Sequence, residues 1–423
     1  MKVLISAIAC QPGLGSEAKV GWDAARAVAR IPGVEECHVM THGAARESVL
    51  GAQKEAAAEN MRFHFFGKPF RYHPNRMLAR LQSWLVYRDW QSCSLERSAR
   101  LHREHGFFLV HHVTYASWRM PPPLWRMPIP FVFGPVGGGS VTPRAFRSML
   151  GGSASAFEFL RETASAFSAN SRSLRLCCSM SSAVVAADTA TADFLIKCGA
   201  TNVHQLCQVF FTANETSRFK RASDASERAA GKLNIFAGGN LEGRKGTQLS
   251  LRALAILNSK GIPFSYTHGG WGPDLRAMQQ LAQQLGLAEQ VRFHEGFRGE
   301  EYANQLGASD VYLLPSIRET AGITMMEAMM AGCYPVVLAG TGAGDIVERT
   351  GGTAIRARTP EEAVQKIADK LEWCYRQRGE MQQQSEAAGE NMRRLYSESS
   401  YQESMSEIYK GAITKHARRL REI

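Results

Sequence analysis

The sequence predicts an α/β protein of two doubly wound, Rossmann-like domains in tandem, facing a cleft. Three observations predict it. Short apolar runs rich in β-branched and aromatic residues alternate with longer helical stretches, the pattern of a parallel sheet covered on both faces. The alternation stops at a polar, weakly patterned segment, 213–232, and then restarts. A chain of 423 residues, 44% of them hydrophobic, is also long for a single core.

The elements follow in order. "KVLISAIA" (2–9), "CHVMTH" (37–42), "RFHFF" (62–66), "FFLVHHV" (107–113) and "PFVFG" (130–134) have the apolar continuity of buried strands, and "AVVAA" (183–187) and "NVHQLC" (202–207) continue the series. Helical patterns fill 17–30 and 76–104. After the polar segment come "LNIFAGG" (233–239), "FSYTHGG" (264–270), "VRFHEG" (291–296), "DVYLLPS" (310–316) and "YPVVLAG" (334–340). The expected domains are 1–207 and 208–395, with a terminal helix over 396–423 packing back on the first. In such folds ligands bind at the C-terminal ends of the strands.

Composition narrows the partners. Lys and Arg total 50 against 39 Asp and Glu, a formal net charge of +11, which favours anionic ligands or surfaces. Nine cysteines without a C-x-x-C pair argue against a disulfide scaffold or a zinc ribbon and fit buried thiols in a reducing compartment. The start "MKVLISAIACQPG" has the pattern of a first buried strand rather than a signal peptide. No run of about 18 apolar residues occurs, so no membrane span is expected. No nucleic-acid-reading motif appears.

Four stretches carry candidate chemistry. In "SIRETAGITMMEAMMAG" (316–332) a strand-end loop leads into a helix that opens at Gly322, so the amides of Gly322, Ile323 and Thr324 can point at a phosphate. Glu319 lies before that turn and Glu327 more than a turn beyond it. Carboxylates do not bind phosphate, but they accept hydrogen bonds from sugar hydroxyls, a division of labour suited to a nucleotide sugar. The competing interpretation is a helix cap at Glu319 and an exposed ion pair at Glu327. "FAGGNLEGRKGTQLSLRALAIL" (236–257) runs from strand through a Gly-rich turn into a helix, with Lys245 placed to meet a phosphate as a point charge. Arg244 occupies the Walker lysine position there, so the stretch is not a P-loop; an ordinary turn with solvated basic residues competes. "ACQPGLGSEAKVGWDAARAVA" (9–29) places Gly13 and Gly15 in the first strand-to-helix turn, and no acidic residue ends strand two, where Thr41 and His42 stand. "FFLVHHVTYASWRMPPPLW" (107–125) ends a strand on His111 and His112; neighbours on a strand point to opposite faces, so one at most faces a cleft.

Together these stretches resemble the retaining glycosyltransferases of family 4, which have the GT-B fold. The resemblance spans nearly the whole chain. "ETAGITMMEAMMAGCYPVV" resembles the family's E-x7-E motif, and "GGNLEGRKG" its phosphate motif; "GGWGPDLRAMQQLAQQLGLAEQVRFHEGF" (269–297) resembles the G-x-G-P helix and the strand that follows it. "GSEAKVGW" (15–22) and "LVHHVTYASWRMPPPLW" with "PFVFGPVGGG" are similar to a bacterial polysaccharide-assembly branch.

The resemblance implies a nucleoside diphosphate sugar in the C-terminal domain. Glu327 would take the ribose hydroxyls and Lys245 the diphosphate, at the turn that holds Gly239, Asn240 and Arg244. Glu319 would sit by the donor sugar, with Gly322, Ile323 and Thr324 holding sugar and phosphate. The backbone beside Phe297 would meet the base. The N-terminal domain would hold a saccharide, commonly lipid-linked, acceptor, with Gly15 near the donor phosphate and His111 or His112 near the sugar. Transfer would retain the anomeric configuration with no metal and no cofactor beyond the donor.

Three departures stand out. Asn240 replaces the usual phosphate-binding Arg, with Arg244 four residues on; Phe108 replaces the Asp before the histidines; and "TANET" stands at the usual pre-linker motif. A sugar-nucleotide epimerase of the same fold and a catalytically inactive donor-binding protein compete with the transferase. Finally, residues 61–105 hold nine Lys or Arg against three acids, with Trp84, Tyr87, Trp90, Leu81 and Leu85 interleaved. The expectation is a cytoplasmic enzyme docked peripherally on the anionic inner face of the membrane, against the alternative that the aromatics are simply the core face of a long helix.

Overall fold

The computed structural model describes residues 1–13, 17–53, 59–67, 76–150, 152–220 and 231–422. Gly15 of the first turn, Lys68 and Arg71 of the basic stretch, and 221–230 of the expected linker lie outside them. The described residues form two compact units: Met1–Gly139 with Ala164–Val209 and Glu398–Ile423, and Ser140–Thr163 with Phe210–Ser397.

The first unit holds seven parallel strands: β1 (Lys2–Ala7), β2 (Glu36–His42), β3 (Met61–Phe66), β4 (Leu109–Thr114), β5 (Phe131–Val136), β6 (Ala183–Ala186) and β7 (Val203–Gln205), in the order β3-β2-β1-β4-β5-β6-β7. Every residue of β4, β5 and β6 is buried, the reason those segments read as unbroken apolar runs. The long helix Arg76–His105 supplies Tyr87, Trp90 and Leu101 to the core beside Phe131, Phe133 and Trp118. The terminal helix Glu398–Arg421 buries Tyr401, Met405, Ile408, Tyr409 and Ala412 in this unit, one helical face at 3–4-residue spacing.

The second unit holds six parallel strands: β8 (Leu233–Gly238), β9 (Phe264–Gly269), β10 (Val291–His294), β11 (Val311–Leu314), β12 (Tyr334–Leu338) and β13 (Thr353–Ile355), in the order β10-β9-β8-β11-β12-β13. Strand β13 has three residues, two of them only half-buried, too short for any periodicity to announce it. Residues 140–163 belong to this unit although the sequence places them before the linker: Phe146 and Leu150 are buried in its core with Leu249, Leu254 and Ile367. Part of the expected linker is ordered, as the short helix Ala213–Ser217 with a Thr212–Glu215 capping box.

Candidate active site

In the second unit the strand order reverses between β8 and β11, and two loops leave the C-terminal ends of those strands side by side. They are joined backbone to backbone. The Ile317 amide donates to the Arg244 carbonyl at 2.8 Å. Gly246 has φ +71°, and a Cβ there would lie 2.0 Å from the Pro315 carbonyl oxygen, so the close approach requires glycine. Tyr312 on β11 adds a side-chain tie. Its hydroxyl accepts from the Gly238 amide at 3.1 Å and lies 2.5 Å from Thr324 Oγ1. The ends of β8 and β11 and the helix Ile323–Met330 are thus fixed to one another.

That junction brings Glu319 and Lys245 together. Lys245 Nζ donates to Glu319 Oε2 at 2.5 Å, with both side chains mostly buried. Arg244 stands beside them: its Nε pairs with Glu242 at 3.1 Å, and its Nη1 donates to the Arg318 carbonyl at 3.4 Å and lies 3.9 Å from Glu319. Asn240 is exposed, and Gly239 turns the chain at φ +119° while its carbonyl accepts from His268 Nε2 at 3.1 Å. Burial pushes His268 down to about 4, so a neutral ring donates that bond.

Gly322 begins the helix at φ +75°, with no side chain capping the amides that follow. Within the helix Met325, Met326, Ala328, Met329 and Met330 are buried, whereas Ile323, Thr324 and Glu327 are only half-buried. One face therefore stays open, and it holds the helix start and one carboxylate. Glu327 Oε2 accepts from Tyr302 Oη at 2.7 Å, an anchor the sequence reading missed. Burial, then the Glu327 charge, pushes the Tyr302 phenol up, so it remains a donor at neutral pH. Phe297 stacks on His294 at 4.0 Å between centroids and sets its edge toward Phe236. Arg318, also missed, lies 3.2 Å from the buried Glu158, which accepts from Thr142 and Arg161. This network fastens the helix Gly152–Ala169 to the loop that carries Glu319.

The two strand-end histidines are in a different situation. His111 and His112 are both fully buried in the first unit. Tyr409 Oη lies 2.8 Å from His111 Nδ1, and the Gly134 carbonyl accepts from Nε2. His112 contacts Tyr87 Oη at 3.3 Å through Nε2 and Ser6 Oγ at 3.4 Å through Nδ1. Desolvation pushes the rings down to about 4 and about 3. Neither presents a free ring nitrogen: β4 is covered on both faces, and both rings are polar members of the core. In the same unit Glu17 accepts from the Ala116 amide at 3.2 Å, with burial raising its carboxyl.

Two doubly wound units of this topology are those of the GT-B fold. A solved structure with the same fold is sucrose-phosphate synthase from Thermosynechococcus elongatus, at TM-score 0.64 and 15% identity over 97% of this chain and 98% of that one. Residues 219–393 match the family described as Glycosyl transferases group 1. A D-inositol 3-phosphate glycosyltransferase of Streptomyces griseus is 28% identical over 203 residues, 45% of this chain and 41% of that protein. The protein named "Putative colanic acid biosynthesis glycosyltransferase WcaL" of Salmonella typhimurium is 30% identical over 36% of this chain and 38% of its own length. A GDP-mannose-dependent alpha-(1-6)-phosphatidylinositol monomannoside mannosyltransferase of Mycolicibacterium smegmatis is 27% identical over 37% of this chain and 45% of that protein. The chain thus spans less than half the length of each of these relatives.

Proposed function

We propose that the protein is a retaining glycosyltransferase that moves a sugar from a nucleoside diphosphate sugar to a saccharide acceptor, lipid-linked, in surface polysaccharide synthesis. The observation that carries this reading is the gathering of Lys245, Arg244, Glu319, Glu327 and the open helix start at the ends of β8 and β11. Glu327, held by Tyr302, takes the ribose hydroxyls. Lys245, Arg244 and the amides of Gly322, Ile323 and Thr324 take the diphosphate, and charge developing on the leaving group meets cations and dipoles already in place. Lys245 changes partner in the cycle: with no anion it neutralises Glu319, and a bound diphosphate draws it away and frees that carboxylate for the donor sugar. The positive charges do the work that a divalent ion does elsewhere, so transfer needs no metal. The names of the matched relatives support the substrate classes: one is GDP-mannose-dependent and acts on a phosphatidylinositol mannoside, another is assigned to colanic acid synthesis.

Docking on an anionic membrane face belongs to the same proposal and would hold this enzyme at the inner face of the cytoplasmic membrane. On the helix Arg76–His105, Tyr87 and Trp90 are core residues, whereas Leu81, Trp84 and Leu85 are exposed and Arg88 lies over the Trp84 ring at 5.4 Å. No helix among the described residues is long and apolar enough to cross a membrane.

Exposed Asn240 favours one competitor, a donor-binding protein without transferase activity. Incubation with a panel of nucleoside diphosphate sugars, with and without saccharide acceptors, separates the readings. Glycoside formation supports the transferase, free epimerised sugar nucleotide the epimerase, and binding without turnover the inactive protein.

A further inference from the structure

His38 on β2, His64 on β3 and His105 at the last position of the helix Arg76–His105 come together in the first unit. They are 26 and 41 residues apart in sequence, on three elements, so no spacing motif marks them. One nitrogen from each ring lies within 4.8 Å of the other two. His38 is buried, His64 half-buried, and the His105 side chain is 34% exposed, which leaves an entry path on one side. Phe107 sets its ring across the His38 edge at 5.0 Å and closes the apolar side.

From this geometry we infer a site for a single first-row divalent transition ion of the zinc class, held by His38, His64 and His105. Imidazole is the ligand that zinc, copper and nickel share, while magnesium and calcium prefer oxygen. His38 Nδ1 and His64 Nε2 are 2.9 Å apart. A tetrahedral ion at about 2.0–2.1 Å from each nitrogen sets neighbouring ligands about 3.4 Å apart. The pair must therefore open by about half an ångström, and His105, on an exposed helix end, closes in by at most about 1.4 Å. Three imidazoles leave a fourth position for water.

Two further features fit a metal better than a chain of hydrogen bonds. His38 Nε2 is buried without a hydrogen-bond partner, and the nearest acid to it is Glu36, 3.5 Å away. If Nδ1 ligates, Nε2 must carry the proton, and a short shift lets it donate to Glu36: the carboxylate–histidine–metal arrangement that fixes the tautomer and raises ligand basicity. Glu36 is itself held by Lys2 at 2.8 Å. Glu104 lies 3.9 Å from His105 Nε2, a second carboxylate beside the cluster. Bound, the ion clamps the end of the long helix to β2 and β3. The donor-site residues are all in the second unit, so none of them is a ligand of the ion.

The test uses the full chain with any affinity tag removed, dialysed against EDTA and then against metal-free buffer. Zinc is titrated in competition with a chromophoric chelator, and cobalt is added separately for its visible absorption. The expected result is one equivalent bound with submicromolar affinity, the d–d bands of tetrahedral cobalt, and a raised Tm. His105→Ala, at the exposed helix end, should lose the cobalt spectrum while keeping the wild-type circular dichroism. Glu36→Gln should keep the stoichiometry and weaken binding about tenfold to a hundredfold, the usual effect of losing such a carboxylate. Wild-type protein that binds no stoichiometric zinc overturns the inference, as does zinc affinity unchanged in both variants.

Discussion

Replacing Glu327 by Ala probes the donor assignment where the geometry is most specific. The carboxylate sits on the open face of its helix, where its Oε2 accepts from Tyr302 Oη at 2.7 Å. A ribose would place two hydroxyls against it. A hydrogen bond to a charged group contributes about 1.5–3 kcal/mol, so the variant should bind a nucleoside diphosphate roughly tenfold to a hundredfold more weakly. Tyr302→Phe keeps the carboxylate but removes its orienting donor; the ribose contacts remain, so the nucleotide should be weakened by less than in Glu327→Ala. Because both act through one group, the double variant should be no weaker than Glu327→Ala alone. Calorimetry with the nucleoside diphosphate, and with inorganic pyrophosphate as a ligand lacking ribose, reads all of this. Pyrophosphate binding should be unaffected. Unchanged nucleotide affinity, or pyrophosphate weakened to the same degree, would refute the assignment.

Lys245→Ala and Arg244→Ala should each lower kcat, and together leave little activity; an Arg244→Ala variant with wild-type kinetics would show that this guanidinium serves only Glu242. Stability should fall with acid because buried neutral histidines resist protonation. His111, His112 and His268 lie at about 4, about 3 and about 4, against 6.5 in the unfolded chain. Below pH 6.5 the unfolded state binds protons that the folded rings refuse, so stability is full near pH 7 and drops toward pH 4, by up to about 1.4 kcal/mol per pH unit for each ring. Urea unfolding at pH 7 and pH 5 checks this, and equal midpoints would contradict it. Wild-type protein should co-sediment with anionic vesicles at low salt and be released at high salt. Trp84→Ser combined with Arg76, Arg80 and Arg88 changed to Glu should stay in the supernatant; equal pelleting of that variant would show that the helix face is simply solvated.

Much of this architecture was legible because both sheets are parallel and covered on two sides. Twelve of the thirteen strands among the described residues announce themselves as short apolar runs, and the missed one is the three-residue β13. The gathering of Lys245, Arg244, Glu319 and Glu327 was legible for a related reason: these residues lie in two contiguous stretches, each a strand end running into a helix. The rest depends on contacts between residues far apart in sequence. His111 looks functional at a strand end, but the hydroxyl beside it comes from Tyr409, 298 residues away. Tyr302 lies in an unremarkable helical stretch and matters only because it reaches Glu327. The aromatics of the helix Arg76–His105 divide between core and surface, Tyr87 and Trp90 inward and Trp84 outward, and only the packing of β1, β4 and their neighbours decides which face is which.

The central claim is tested most directly by incubating the purified protein with a nucleoside diphosphate sugar and a lipid-linked saccharide in excess EDTA, and determining the product's anomeric configuration by NMR. We predict glycoside formed in equal amount to the nucleoside diphosphate released, the donor's anomeric configuration retained, and a rate unchanged by the chelator even as the Tm drops with loss of the histidine-bound ion. An inverted product, turnover that stops until manganese or magnesium is restored, or no product across a full panel of donors and acceptors would contradict the account.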